Sequence, residues 1–184
     1  LTTANLITLI RIIAVPFFLV SILYKDYKLA FFLFLFAGIT DSLDGFIARF
    51  FHQKTRLGAV MDPIADKLML STAYIALAIP REGESYIIPI WLTILILSRD
   101  ILIVIFVVIQ FLIFDSSLEN FMPSVWGKIT TTMQIAYALA VLFMNSFGLP
   151  AAIVGALMWS VVVFTIISGT HYLWRSRDIE IQEI

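Results

Sequence analysis

Four aspartates close together in the chain, Asp41, Asp44, Asp62 and Asp66, offer the clearest chemistry in this sequence. Spacings of three and four place each pair on one face of a helix. Carboxylates gathered away from bulk water repel one another and need cations or protons to coexist. Hard oxygen donors with no His or Cys among them suit Mg2+ or Mn2+. Such ions favour phosphate-bearing substrates, and two of them can clamp a phosphoryl group in transfer. Gly45 and Gly58 withhold side chains beside the carboxylates, so a bulky ligand can approach the backbone. Arg49 adds a fixed positive charge suited to a phosphate or pyrophosphate. Cysteine is absent, which excludes disulfides, thiolate metal sites and a cysteine nucleophile.

The elements that position these groups must lie in a membrane. The chain has 184 residues, 61% hydrophobic and only 14% charged. A soluble domain is about a quarter charged, so the surplus apolar surface here must face lipid. Runs long enough to cross a bilayer occur near 4–24, 28–50, 57–79, 86–113, 125–145 and 151–174. Polar or helix-breaking stretches separate them, at 25–28, 52–56, 80–85, 115–123 and 145–150. The runs are continuous rather than alternating, which argues against a β-barrel. The expectation is an all-α polytopic protein of six transmembrane helices, forming a single domain over 1–184. Arg11 inside the first run, with no small-residue cleavage pattern after it, marks a retained helix rather than a signal peptide. A net charge of −1 implies no nucleic-acid surface.

Lys and Arg in short loops set orientation. With six helices, one side carries Arg49, Lys54, Arg56, Lys128, Arg175 and Arg177, and the other only Lys25, Lys28 and Arg81. Both termini are therefore expected in the cytoplasm. Arg11, both aspartate pairs, Arg99 and Asp100 then fall at mid-depth or toward the cytoplasmic ends of helices 1 to 4, aimed at one cytoplasm-facing cavity. Ionisable groups in membrane helices usually mark function. They also form ion-translocation sites, so a cation transporter is the competing class. A transporter needs polar residues leading to both faces, whereas the outer halves of these runs are almost uniformly apolar, and no internal repeat is visible.

The stretch DSLDGFIARFFHQKTRLGAVMDPIAD, residues 41–66, resembles the signature of the CDP-alcohol phosphatidyltransferases, D-x2-D-G-x2-A-R-x8-G-x3-D-x3-D, at every fixed position and gap. Asn5-Leu6-Ile7-Thr8 with Arg11 is similar to the family's first helix, and the likeness covers most of the chain. The resemblance implies a six-helix membrane fold, usually a homodimer in a bacterial inner membrane. It implies a CDP-diacylglycerol donor, divalent metal (two ions) and CMP as leaving product. By motif position, Asp41, Asp44 and Asp62 would hold metal, with Asp66 also near the metals and acting as general base. Asn5, Asp41, Gly45, Ala48, Arg49 and Gly58 would form the CDP site.

The acceptor is a small phosphorylated alcohol or a phospholipid. Pro63 with Lys67, and Gly127-Lys128 with Thr130 to Thr132, resemble the branch using glycerol 3-phosphate. Ser98-Arg99-Asp100 resembles the branch using phosphatidylglycerol. Arg99 and Lys128 are the candidate acceptor-phosphate cations; their ordinary alternatives are an Arg99 ion pair with a helix carboxylate and a snorkelling Lys128. Trp91, Trp126 and Trp174 suit interfacial belts, and Gly155 and Gly169 offer close helix packing.

Overall fold

A computed structural model describes the backbone of residues 3–50, 56–114 and 125–182, and the side chains of 9–40, 67–105 and 125–171. Six helices make up these residues: α1 Thr3–Leu23, α2 Tyr27–Phe50, α3 Arg56–Ala78, α4 Ile90–Phe114, α5 Val125–Phe147 and α6 Ala151–Gln182. The shortest has 21 residues, about 31 Å of helix, enough to cross the hydrocarbon of a bilayer. Among the described residues, α5 and the Ala151–His171 part of α6 are long and apolar enough to span a membrane. Leu9–Leu23, Tyr27–Thr40 and Lys67–Ala78 are the shorter apolar stretches described within α1, α2 and α3.

Exposure is inverted relative to a soluble protein. Arg11 and Arg99 are only 3% and 8% exposed, while Phe17 and Leu102 are 61% and 63% exposed. Outward apolar and inward charged residues are what a lipid surround selects.

The chain divides into two compact units, Leu1–Ile88 with Ala138–Ala151, and Pro89–Tyr137 with Ala152–Ile184. In the first, α1 packs against both α2 and α3. Its buried residues Arg11, Ala14, Phe18, Ser21 and Ile22 form one stripe at helical spacing. On α2 the stripe is Tyr27, Ala30, Phe34 and Ala37, and Phe34 meets Phe18 at 5.7 Å between ring centroids.

The turn between α1 and α2 is compact because two residues each close a helix end. Lys25 adopts φ 62°; its N–H bonds Ile22 O at 3.0 Å and Asp26 N–H bonds Ser21 O at 2.8 Å. This pairing is a Schellman stop with a non-glycine in the left-handed position. Asp26 then caps α2, its Oδ1 accepting Leu29 N–H at 3.0 Å. Gly148, at φ 84°, ends α5 with the simpler left-handed cap, its N–H donating to Met144 O at 3.1 Å.

Two expected boundaries shift. Helix α4 starts at Ile90 rather than near 86, because Pro89 stands where a helix begins and the Asn145 side chain occupies the backbone just before it. That amide accepts Ser85 N–H at 2.9 Å and Tyr86 N–H at 3.0 Å, and donates to Tyr86 O at 2.9 Å. Helix α6 continues past 174 to Gln182, since the polar sequence that follows contains no Gly or Pro to stop it. Gly155 and Gly169 are not close-packing points among the described residues: a Cβ at either would meet no atom within 4 Å.

Candidate active site

Positions 41, 44 and 48 lie on continuous α2, and 58, 62 and 66 on continuous α3. The side chains of Asp41, Asp44, Asp62 and Asp66 lie outside the described residues, as do those of Asn5, Ala48 and Arg49 and the surroundings of Gly45 and Gly58. Their register can still be read from the helices that carry them. The buried α2 series Tyr27, Ala30, Phe34, Ala37 steps by three and four. Continued along the same helix it falls on 41, 44 and 48, drifting about 20° per heptad. On α3 the described buried face is broad, made of Met69, Leu70, Ala73, Tyr74, Ala76, Leu77 and Ala78. Each aspartate pair lies within one continuous helix, at a spacing of three on α2 and of four on α3.

Helix α2 ends at Phe50 and α3 begins at Arg56, so position 44 lies six residues before the end of one helix and position 62 six residues after the start of the next. Arg11 is buried on α1, which packs against both helices, twelve residues before the helix ends at Leu23. Twelve residues after the start of α2 is Ile39, so Arg11 stands close to the level of position 41.

In the second unit the buried face of each helix turns polar toward one end. On α6 it runs from Val154 and Val161 to Thr165 and Ser168. On α4 it runs from Leu92 and Ile96 to Arg99, with Thr93 as the exception, and α5 contributes Gln134 and Thr130. Arg99 Nη1 pairs with Asp100 Oδ1 at 2.8 Å, and Nη2 donates to Ser168 Oγ. The carboxylate-pairing alternative for Arg99 is therefore present in the structure. Thr130 Oγ1 donates to Phe164 O at 2.9 Å and to Trp126 O at 2.8 Å. Residues 164 and 168 are about 6 Å apart along α6. Since α5 runs antiparallel to α6, Lys128 sits about 3 Å beyond Thr130 toward Ser168. Arg99 and Lys128 consequently share nearly one level of this unit, Arg99 buried and Lys128 exposed at the start of α5. Trp91 and Trp159, with ring centroids 6.4 Å apart, give α4 and α6 the same parallel register as the Arg99–Ser168 contact.

Ser168 escaped the reading of Arg99 from sequence, and the helix carboxylate foreseen as its alternative partner is its own neighbour, Asp100. A lone serine in an apolar helix carries no signal, and a neighbour in sequence does not normally share a helix face. Among the described residues no three His, Asp or Glu gather as a metal site.

The sequence is similar to known proteins along nearly its whole length. A family model described as CDP-alcohol phosphatidyltransferase matches residues 1–167. A Mycobacterium tuberculosis protein named a probable phosphatidylglycerophosphate synthase is 34% identical over 185 residues, covering 96% of this chain and 82% of its own. A Haemophilus influenzae CDP-diacylglycerol–glycerol-3-phosphate 3-phosphatidyltransferase is 32% identical over 181 residues, covering 91% of this chain and 89% of its own. A cardiolipin synthase (CMP-forming) of Rattus norvegicus is 32% identical over 196 residues, covering 98% of this chain and 63% of its own.

Proposed function

Because the chain belongs to the CDP-alcohol phosphatidyltransferase family, we propose that it transfers a phosphatidyl group from CDP-diacylglycerol to glycerol 3-phosphate, forming phosphatidylglycerophosphate and CMP. The observation that carries this reading is the complete signature of residues 41–66, with each aspartate pair on one continuous helix. Relatives named for the glycerol 3-phosphate reaction favour that acceptor, and so do two cations at one level of the second unit.

The donor set fits divalent metal: four carboxylates at helical spacing, with no softer ligand at the fixed positions of the signature. Asp41, Asp44, Asp62 and Asp66 would hold Mg2+ or Mn2+, two ions in all, which supply charge neutralisation for the pyrophosphate when bound. Asp66 takes the proton of the acceptor hydroxyl, which is too weak a nucleophile at neutral pH without a base. The hydroxyl oxygen forms a bond to the lipid-bearing phosphorus, and the pyrophosphate P–O bond breaks, releasing CMP. Arg49 offsets charge on the departing phosphate. Asn5, Gly45, Ala48 and Gly58 line the CDP moiety, the glycines leaving room for backbone approach. Arg99 and Lys128 hold the acceptor phosphate. One cation alone would not offset the desolvation of a dianion.

The protein is proposed as an integral membrane homodimer with six spans, in a bacterial inner membrane, its active site toward the cytoplasm. The cations of the opposite side support this orientation, because local structure accounts for each. Lys25 Nζ donates to Glu82 O, Lys28 lies over the Phe147 ring, and Arg81 pairs with Glu84. The second reading, transfer to phosphatidylglycerol, draws on the rat relative. Purified protein with CDP-diacylglycerol and Mg2+ or Mn2+ should release CMP with glycerol 3-phosphate. Release with phosphatidylglycerol alone would replace the acceptor, and release with neither would remove the activity.

A further inference from the structure

Arg99 is held by partners on two helices. Asp100 follows it directly on α4, so that contact forms only with the guanidinium folded back around its own helix. Ser168 holds the other terminal nitrogen from α6 and is fully buried. Its hydroxyl is also used differently from its neighbours'. Ser160 and Thr170 on the same helix donate to carbonyls one turn back, Ala156 O at 2.9 Å and Ile166 O at 3.1 Å. The hydroxyl of Ser168 instead meets Arg99. A guanidinium is a planar fork whose value to a phosphate depends on its plane. Anchors on both terminal nitrogens, from different helices, set that plane.

We infer that Ser168 is a positioning residue for the acceptor: it orients the Arg99 guanidinium and so sets the affinity for a phosphorylated alcohol. The inference rests on the assignment of Arg99 to the acceptor phosphate. It adds to that assignment a specificity determinant on α6, the helix the signature does not touch. Ser168 forms and breaks no bond in the reaction, so its effect belongs in acceptor binding rather than in turnover.

The test compares Ser168→Ala, Arg99→Ala and Ser160→Ala in the intact membrane protein, reading KM for glycerol 3-phosphate and for CDP-diacylglycerol separately. Ser168→Ala should raise the acceptor KM about tenfold, as loss of a hydrogen bond to a charged group predicts, with the donor KM within about twofold of the wild type. Ser160→Ala, which loses an ordinary helix hydroxyl, should leave both constants in place. An unchanged acceptor KM in Ser168→Ala, with a raised one in Arg99→Ala, overturns the positioning role and leaves the Arg99 assignment standing. Unchanged acceptor constants in both variants overturn the Arg99 assignment and the inference together. A Ser168→Ala loss that falls equally on both substrates, or on kcat alone, makes the serine merely structural and also overturns the inference.

Discussion

Asp66 is the residue on which the proposed chemistry turns. It lies on α3, and the proposed attack by a hydroxyl needs a base. Asp66→Asn preserves shape but cannot accept the proton, so CMP release should fall by about 10²–10⁴ while CDP-diacylglycerol binding persists. Single-turnover assays beside donor-binding titrations measure both halves. Near-native turnover would place the base elsewhere. Asp41→Asn and Asp62→Asn should behave differently, weakening metal binding and donor binding together, if these residues hold the metal as proposed.

At the scale of elements, the helix ends opposite the candidate site are closed by named contacts. Tyr27 donates to Glu84 Oε1 at 2.5 Å, and Arg81 Nη1 covers Ala76 O at 2.7 Å at the end of α3. Asn145 ties the end of α5 to the segment before α4 with three hydrogen bonds. Asn145→Ala leaves two backbone donors and a carbonyl without that partner, at a cost of about 1–3 kcal/mol. The expected result is a lower midpoint of thermal unfolding with both substrate KM values unaltered, read by a thermal-shift assay beside CMP release. A changed acceptor KM would instead mean that this end of the protein communicates with the site.

For the whole molecule, the absence of cysteine makes topology directly measurable. Ser85 is exposed in the segment between α3 and α4, on the side proposed as exterior, and His52 falls in sequence between α2 and α3, on the side proposed as cytoplasmic. Ser85→Cys should react with a membrane-impermeant maleimide in intact cells. His52→Cys should react only after permeabilisation. The reverse pattern would turn the active site outward and make the positive-inside argument wrong for this chain.

Much of this was legible in the residues themselves. Continuous apolar runs of about 20 residues locate helices in lipid, because an unpaired backbone is too costly there, and five of six helix starts fall within a residue of the sequence reading. The signature spacing alone puts each aspartate pair on one helix face. What spacing cannot reveal is which face turns inward, since the apolar positions of a lipid-exposed helix run all the way round. The structure supplies that direction for the described stretches, where Tyr27, Ala30, Phe34 and Ala37 of α2 and Met69, Ala73 and Ala76 of α3 are buried. The start of α4 likewise depended on Asn145, about sixty residues away, and the setting of Arg99 on Ser168 of another helix. Periodicity records local geometry, whereas the partner of a buried donor is chosen by packing between helices distant in sequence, so only the tertiary structure could name Ser168.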